Sequence, residues 1–227
     1  MDGNLNVQEL CPLNNQGCPL VNELEHLKEE CKRLVELSRL DALTGFFNFH
    51  YLMAALEEEM ERARRTGLYT SLVMIDLDHF KKINDTYGHE SGNKALQWAT
   101  KIWRDNIRRI DIPCRYGGEE FAIILPGISL HQAVRTAERL RALLRNSSIK
   151  LKNKKVKLKA SFGVNTYDGI ENLSVETFIE KTDGFLLQAK KKGRDCVYYD
   201  KKMMKQIPTE ITDEEREELF KIYRSPT

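Results

Sequence analysis

Ser71-Leu72-Val73-Met74-Ile75-Asp76-Leu77-Asp78 carries an apolar run into two carboxylates one residue apart. Ser71 to Leu77 reads as a strand that emerges from the core into Asp76 and Asp78. Alternation puts residues 76 and 78 on the same side of such a strand. A carboxylate pair there suits a hard divalent cation such as magnesium, which takes one or two carboxylates plus substrate phosphate oxygens. An Asp at a strand end is also an ordinary turn former, and the stretch alone leaves both readings open.

Outward from this strand, Phe49 to Arg65 reads as a helix before it, and a second helix runs from about Ser91 to Arg108 after it. Ile112 to Tyr116 and Phe121 to Leu125 flank Gly117-Gly118, the signature of a hairpin whose tip needs glycine dihedrals. Helix signals return over Leu130 to Arg145. Ile149 to Leu151 and Val156 to Val164 flank Asn153-Lys154-Lys155 as a second hairpin. A last helix, Val175 to Lys191, leads through Gly193 to a short strand, Cys196 to Tyr199. Helices and strands alternate without a strict βαβ repeat, so the expected fold is an α+β sandwich with a mixed central sheet flanked by helices.

Residues 1 to 40 precede this domain, residues 41 to 200 form it, and residues 201 to 227 follow as a tail. Residues 1 to 19, with Pro12, Gly17 and Pro19, read as irregular chain. Leu20, Leu24, Leu27, Cys31 and Leu34 then recur at helical spacing with charged residues between them. This stripe is either a short coiled-coil seam or an amphipathic helix packed on its own domain. Thr212-Asp213-Glu214-Glu215 is a helix-start pattern in the tail.

The 227 residues, 41% of them apolar, suffice for one core with short appendages. Lys plus Arg total 36 against 34 Asp plus Glu, a formal charge of +2 that gives no global argument for a nucleic acid or an anionic membrane surface. Any anion site must be local. The apolar runs are far shorter than the roughly 20 residues that span a bilayer, and the polar, acidic N-terminus lacks the pattern of a signal peptide. A cytoplasmic protein is expected, with its five dispersed cysteines as reduced thiols.

Two further patterns carry chemistry. Gly117-Gly118-Glu119-Glu120 puts acidic residues at a hairpin tip that admits close backbone approach. An ordinary glycine turn with solvated glutamates is the bland reading. A second acidic junction beside Asp76, however, is what metal-assisted phosphoryl transfer requires. Lys190-Lys191-Lys192-Gly193-Arg194 ends the last helix; Lys191 and Lys192 read as solvated, whereas Lys190 and Arg194 flank the Gly193 break as a pair aimed at a triphosphate.

Asp41-Ala-Leu-Thr-Gly45, Asp76-Leu-Asp78-His-Phe-Lys-Lys-Ile-Asn84-Asp85 running to Gly88-His89, Arg115-Tyr-Gly117-Gly-Glu-Glu-Phe121, Ala160-Ser-Phe-Gly163 and Ala189-Lys190 to Gly193-Arg194 together resemble a GGDEF domain, over residues 41 to about 200. The resemblance implies a diguanylate cyclase that condenses two GTP into cyclic di-GMP. It implies Asp76, the Leu77 carbonyl and Glu119 as ligands of two magnesium ions, with manganese as a substitute, and Glu119 and Glu120 as catalytic carboxylates, Glu119 helping to deprotonate the ribose 3′-hydroxyl. The backbone of His79, Phe80 and Lys81 would cradle phosphate, with Lys190 and Arg194 on the β- and γ-phosphates. Gly118 would let the nucleotide lie close, and Asn84, His89 and Asn93 would line the base side. Because the product carries two symmetry-related linkages, attack occurs across two facing sites, and the Leu20 to Leu34 helix would bring the protomers of a homodimer together. Arg108 and Asp111 match the family's Arg-x-x-Asp inhibitory site for cyclic di-GMP, with a surface salt bridge as the alternative.

Five positions depart from the family pattern. Asn93 stands where Asp is usual, which exchanges two carboxylate acceptors for one carbonyl and an NH₂ that faces guanine donors poorly. The expected outcomes are weaker but retained GTP use or admission of ATP, with the first favoured. Asn48-Phe49-His50 replaces Asn-Arg-Arg, Leu187 replaces Tyr, and Asp195 replaces Asn as a minor change. A receptor for cyclic di-GMP without turnover is the rival reading, and the intact Asp76, Glu119, Glu120, Lys190 and Arg194 argue against it. Cys11, Cys18 and Cys31, with His26, are left as a possible metal or redox group without an assigned role.

Overall fold

The computed structural model describes residues 23–24, 26–30, 34 and 39–204 of the chain. In chain order the domain comprises α1 (Phe49–Thr66), β1 (Thr70–Leu77), α2 (Phe80–Tyr87), α3 (His89–Arg104), β2 (Ile112–Gly117), β3 (Glu120–Pro126), α4 (Leu130–Asn146), β4 (Ile149–Leu151), β5 (Lys154–Val156), β6 (Ala160–Tyr167), α5 (Val175–Lys191), β7 (Val197–Tyr198) and α6 (Lys201–Met204). Five strands form one sheet in the order β2-β3-β1-β6-β7. β1 pairs antiparallel with both β3 and β6, and β7 runs parallel to β6, so the sheet is mixed as expected.

β1 lies at the centre and is buried along its length except at Asp76. Its Val73, Ile75 and Leu77 join Phe121, Ile123 and Phe162 against Ala99 and Trp103 of α3 and Leu140 of α4. Leu72 and Met74 face the opposite way, toward Leu52, Leu56 and Met60 of α1 and Phe178 and Leu186 of α5. Helices therefore cover both faces, which is why the strand reads as a continuous apolar run rather than an alternation. Local chemistry sets the helix starts: Asn48 Oδ1 accepts from Tyr51 N at 3.0 Å, and Ser174 Oγ accepts from Thr177 N at 3.2 Å.

Three expectations are corrected. The stretch after Asp78 holds two helices, not one: His79 enters with φ 57°, α2 follows, and Gly88 at φ 85° breaks the chain before α3. Asn84-Asp85-Thr86 is a weak helix former, and packing of Phe80 and Ile83 against the core makes the short α2 persist. α3 also ends at Arg104 rather than Arg108, because Asp111 accepts from Arg108 N at 2.8 Å and closes a turn there. Finally, Val156 to Val164 is not one strand. The second hairpin turns at Lys152-Asn153, both left-handed at φ 41° and 67°, and β5 ends before Lys157–Lys159 bridge to β6.

At the N-terminus, residues 23–24, 26–30 and 34 are helical, with Leu24, Leu27 and Leu34 exposed. Leu20 and Cys31 of the stripe, Cys11, Cys18 and the Thr212 pattern lie outside the described residues. Cys114 is buried within the sheet, and burial pushes its thiol up to about 12. Among the described residues no helix is long and apolar enough to cross a membrane.

α5 approaches β6 at Gly163, where an added Cβ would lie 2.6 Å from Thr182 O and overlap the Leu186 backbone nitrogen. Gly163→Ala should therefore lower stability by about 1–3 kcal/mol through overpacking. Chemical unfolding would measure this, and a variant as stable as the parent would contradict the close approach.

Candidate active site

The open end of the sheet gathers acidic and basic groups from four directions. Asp76, next to last in β1, lies opposite Glu120 of β3. Lys190, in the last turn of α5, puts Nζ 2.7 Å from Asp76 Oδ2 and 3.8 Å from Glu120 Oε1. Glu119 occupies the hairpin tip, and its carbonyl accepts from Leu77 N at 3.3 Å. Burial raises the Asp76 carboxyl above its ordinary range against the pull of Lys190, and Asp78 adds repulsion. Glu120 is raised by the same burial, opposed by Lys190 and reinforced by Asp76, Asp183 and Glu119.

The hairpin tip is fastened from below. Arg115 donates to Gly118 O through Nε at 3.0 Å and Nη2 at 2.8 Å, and through Nη1 to Asp41 Oδ1 and Oδ2 at 3.1 and 3.0 Å. Asp41 also accepts from Thr44 N at 2.9 Å and Thr44 Oγ1 at 2.6 Å. Burial alone would raise its carboxyl, but the Thr44 and Arg115 bonds outweigh it and hold the group below the ordinary range. Asp41-Ala-Leu-Thr-Gly45 is thus the anchor of the acidic tip rather than a part of its chemistry. Gly118 takes φ 52° at the turn itself, a value glycine adopts without strain.

His79, Phe80 and Lys81 form the entry to α2, with the Phe80 side chain in the core and the His79 and Lys81 side chains exposed. The backbone N–H groups of a helix start remain free for an anion, as the expected phosphate cradle needs. Asn84 lies against Gly92 of α3, where a Cβ would overlap its Oδ1. Gly92 thus leaves the room that Asn84 occupies. Asn93 and His89 are exposed on the same helix. Arg194 is exposed beyond the Gly193 break, close enough to Asp76 to stabilise its charge.

Asp78 does not join Asp76. β1 ends at Leu77, and Asp78 turns inward, buried, where it accepts from Ser161 Oγ at 2.7 Å and from Asp195 N at 2.9 Å. Alternation fails here because the strand has already ended. Arg108 and Asp111 lie on the far side of the hairpin, joined at 2.6 Å, with Arg108 also donating to Pro126 O at 3.1 Å. The Asp111 side chain is only 2% exposed and that of Arg108 is 45% exposed.

With Lys190 between Asp76 and Glu120, the carboxylates of Asp76 and Glu119 and the Leu77 carbonyl supply hard oxygen donors of the kind a divalent cation takes. Among the described residues they do not close into a cage of three or more protein ligands. Magnesium needs none, since phosphate oxygens and water complete its shell.

The family model described as "Diguanylate cyclase, GGDEF domain" matches residues 38–196. The chain belongs to the GGDEF family. Its GGDEF domain is 37% identical over 175 residues to the response regulator PleD of Caulobacter vibrioides, covering 76% of this chain and 38% of that protein. The chain thus spans well under half the length of that curated relative. Among solved structures, the diguanylate cyclase SiaD of Pseudomonas aeruginosa, determined in complex with its activator SiaC, has a TM-score of 0.69 at 32% identity, covering 79% of this chain and 68% of that one. The GGDEF domain of DgcB from Caulobacter crescentus, in complex with c-di-GMP, has a TM-score of 0.68 at 27% identity, covering 71% and 92%.

Because Glu120 is raised in the fold, its charged form costs stability at neutral pH; that cost shrinks as pH falls through the folded value and is gone below the ordinary carboxyl range. Glu120→Gln should therefore raise the Tm of metal-free protein at pH 8 and leave it unchanged near pH 3. An equal or lower Tm at pH 8 would show that Lys190 already compensates the charge.

Proposed function

We propose that this chain is a diguanylate cyclase that joins two GTP molecules into cyclic di-GMP with release of two pyrophosphates. The observation that carries the reading is Lys190 lodged between Asp76 and Glu120, 2.7 and 3.8 Å away, beside the free backbone of the α2 entry and the exposed Arg194. Cations and helix N–H groups there suit a triphosphate, and the carboxylates suit its counter-ions.

In this reading Lys190 and Arg194 hold the β- and γ-phosphates, the His79 to Lys81 backbone cradles phosphate, and Asn84 meets the guanine edge with Asn93 and His89 nearby. Asp76, the Leu77 carbonyl and Glu119 hold the metal, while Glu120 keeps negative charge beside the ribose hydroxyl and Glu119 helps take its proton. Magnesium, when bound, would acidify the attacking 3′-hydroxyl and offset charge on the α-phosphate. The Arg115 to Asp41 link keeps Glu119 and Glu120 in place during this step. Each protomer holds one GTP, and the two-fold product requires a second protomer face to face. The exposed Leu24, Leu27 and Leu34 support a seam between helices over a helix packed on its own domain. The setting in this reading is the cytoplasm, with no nucleic acid or membrane partner.

Cyclic di-GMP at Arg108 and Asp111 would act as feedback inhibitor. Because Asp111 is buried and already bonded, Arg108 would make the contact with product and Asp111 would orient it. Arg108→Ala should keep turnover and lose product inhibition by at least about tenfold in inhibition constant, the size of one lost charge-assisted bond. Collapse of the variant's activity at micromolar product would place inhibition elsewhere.

Asn93 favours one second reading, a cyclase of relaxed base selection. Purified protein incubated with magnesium and GTP, ATP or their mixture, followed by mass spectrometry, tests both. Cyclic di-GMP is the expected dominant product of the mixture. Adenine-containing cyclic dinucleotide would assign selectivity to Asn93, and no product from any mixture would leave a cyclic di-GMP receptor without turnover.

A further inference from the structure

The turn that presents Arg194 has three successive residues in left-handed backbone, Gly193, Arg194 and Asp195, at φ 109°, 65° and 46°. Glycine adopts such values freely, whereas Arg and Asp hold them only when their surroundings insist. The N–H of Arg194 donates to Ala189 O at 3.1 Å, and the other contacts that hold the turn converge on Asp195. Its N–H donates to Asp78 Oδ2 at 2.9 Å, and Asp78 is itself held by Ser161 Oγ at 2.7 Å. Its carbonyl accepts from Arg141 Nη1 at 2.9 Å. Its carboxylate meets Arg141 at 3.0 Å, Lys159 at 3.1 Å and Arg145 at 3.6 Å, and the side chain is 12% exposed. Cations from α4 and from the link between β5 and β6 thus grip one carboxylate next to the exposed Arg194.

We infer that Asp195 is a positioning residue for Arg194, fixing the backbone from which the guanidinium reaches the triphosphate. This rests on the reading of Arg194 as a phosphate contact. An Asn here keeps tolerance of left-handed backbone and one acceptor for Arg141, but lacks the charge that draws in Lys159 and Arg145. Asp195 is therefore more than a minor replacement for Asn. Rigid presentation matters because a long arginine that must first be ordered gives up part of its contact.

The test is a double-mutant cycle read twice, as KM and kcat for GTP and as calorimetric GTP affinity, which does not depend on turnover. Asp195→Ala should raise KM and weaken affinity on the order of tenfold with kcat within about twofold, and should add nothing in an Arg194→Ala background. Asp195→Asn should recover most of the loss. Should Asp195→Ala not fold, Asp195→Asn carries the cycle, with an expected KM rise of about two- to threefold that disappears in the Arg194→Ala background. Unchanged affinity in the Asp195 variants, or the same rise with and without Arg194, would overturn the positioning role alone. Unchanged affinity in Arg194→Ala would overturn the phosphate assignment and the positioning role together.

Discussion

The contact between Lys190 and Asp76 joins residues 114 positions apart in the chain, and most of the architecture is arranged so that it can form. Asp76 is the next-to-last residue of a strand buried on both faces, so its charge sits where solvation is poor. A carboxylate in that place needs a cation, and α5 delivers one from its last turn. That delivery requires α5 to lie nearly in contact with β6, which the bare Cα of Gly163 permits. Glu119 and Glu120 then arrive from the neighbouring hairpin to complete a cluster that is short of positive charge. A cluster with that imbalance is a candidate functional site, held at some cost to the stability of the fold.

Much of the remaining motif chemistry is mechanical. Asp41 and Thr44 form a small hydrogen-bonded turn whose free carboxylate face receives Arg115, and Arg115 in turn holds the Gly118 carbonyl at the acidic tip. Asp78 does the same for the opposite wall by accepting from Ser161 and from the backbone of Asp195. Two carboxylates close to the chemistry thus act on geometry. In the proposed reading, the groups that meet substrate are those that geometry leaves exposed or half-exposed: Glu119, Glu120, Lys190, Arg194 and the entry to α2.

The departures from the family pattern sort by environment. Leu187 and Phe49 are exposed, and Phe49 meets Tyr116 edge-on at 5.2 Å, on the strand that leads into the acidic tip. Asn93 stands beside the Gly92 that accommodates Asn84, and in the proposed reading it is the departure that touches the base. Asp195 looked interchangeable with Asn as a letter in the chain, yet it sits where three cations and a strained turn meet.

Periodicity and turn chemistry determined the α+β class, the limits of α1, α4 and α5 to within a residue or so, and the hairpin that carries Glu119 and Glu120. These are local properties, encoded by apolar spacing, by caps such as Asn48 and Ser174 and by glycine at the Gly117-Gly118 tip. The motif spacing also named the residues of the acidic and basic cluster. Tertiary structure alone decided that α2 forms at all, that β5 and β6 belong to different sheets, and that Asp78 faces inward while Asp76 does not. It also decided which cation each carboxylate meets, pairing Lys190 with Asp76, Arg115 with Asp41, and Arg141, Arg145 and Lys159 with Asp195. Such pairings join residues distant in the chain, and their existence depends on how closely helices and strands pack, which no short stretch of sequence records.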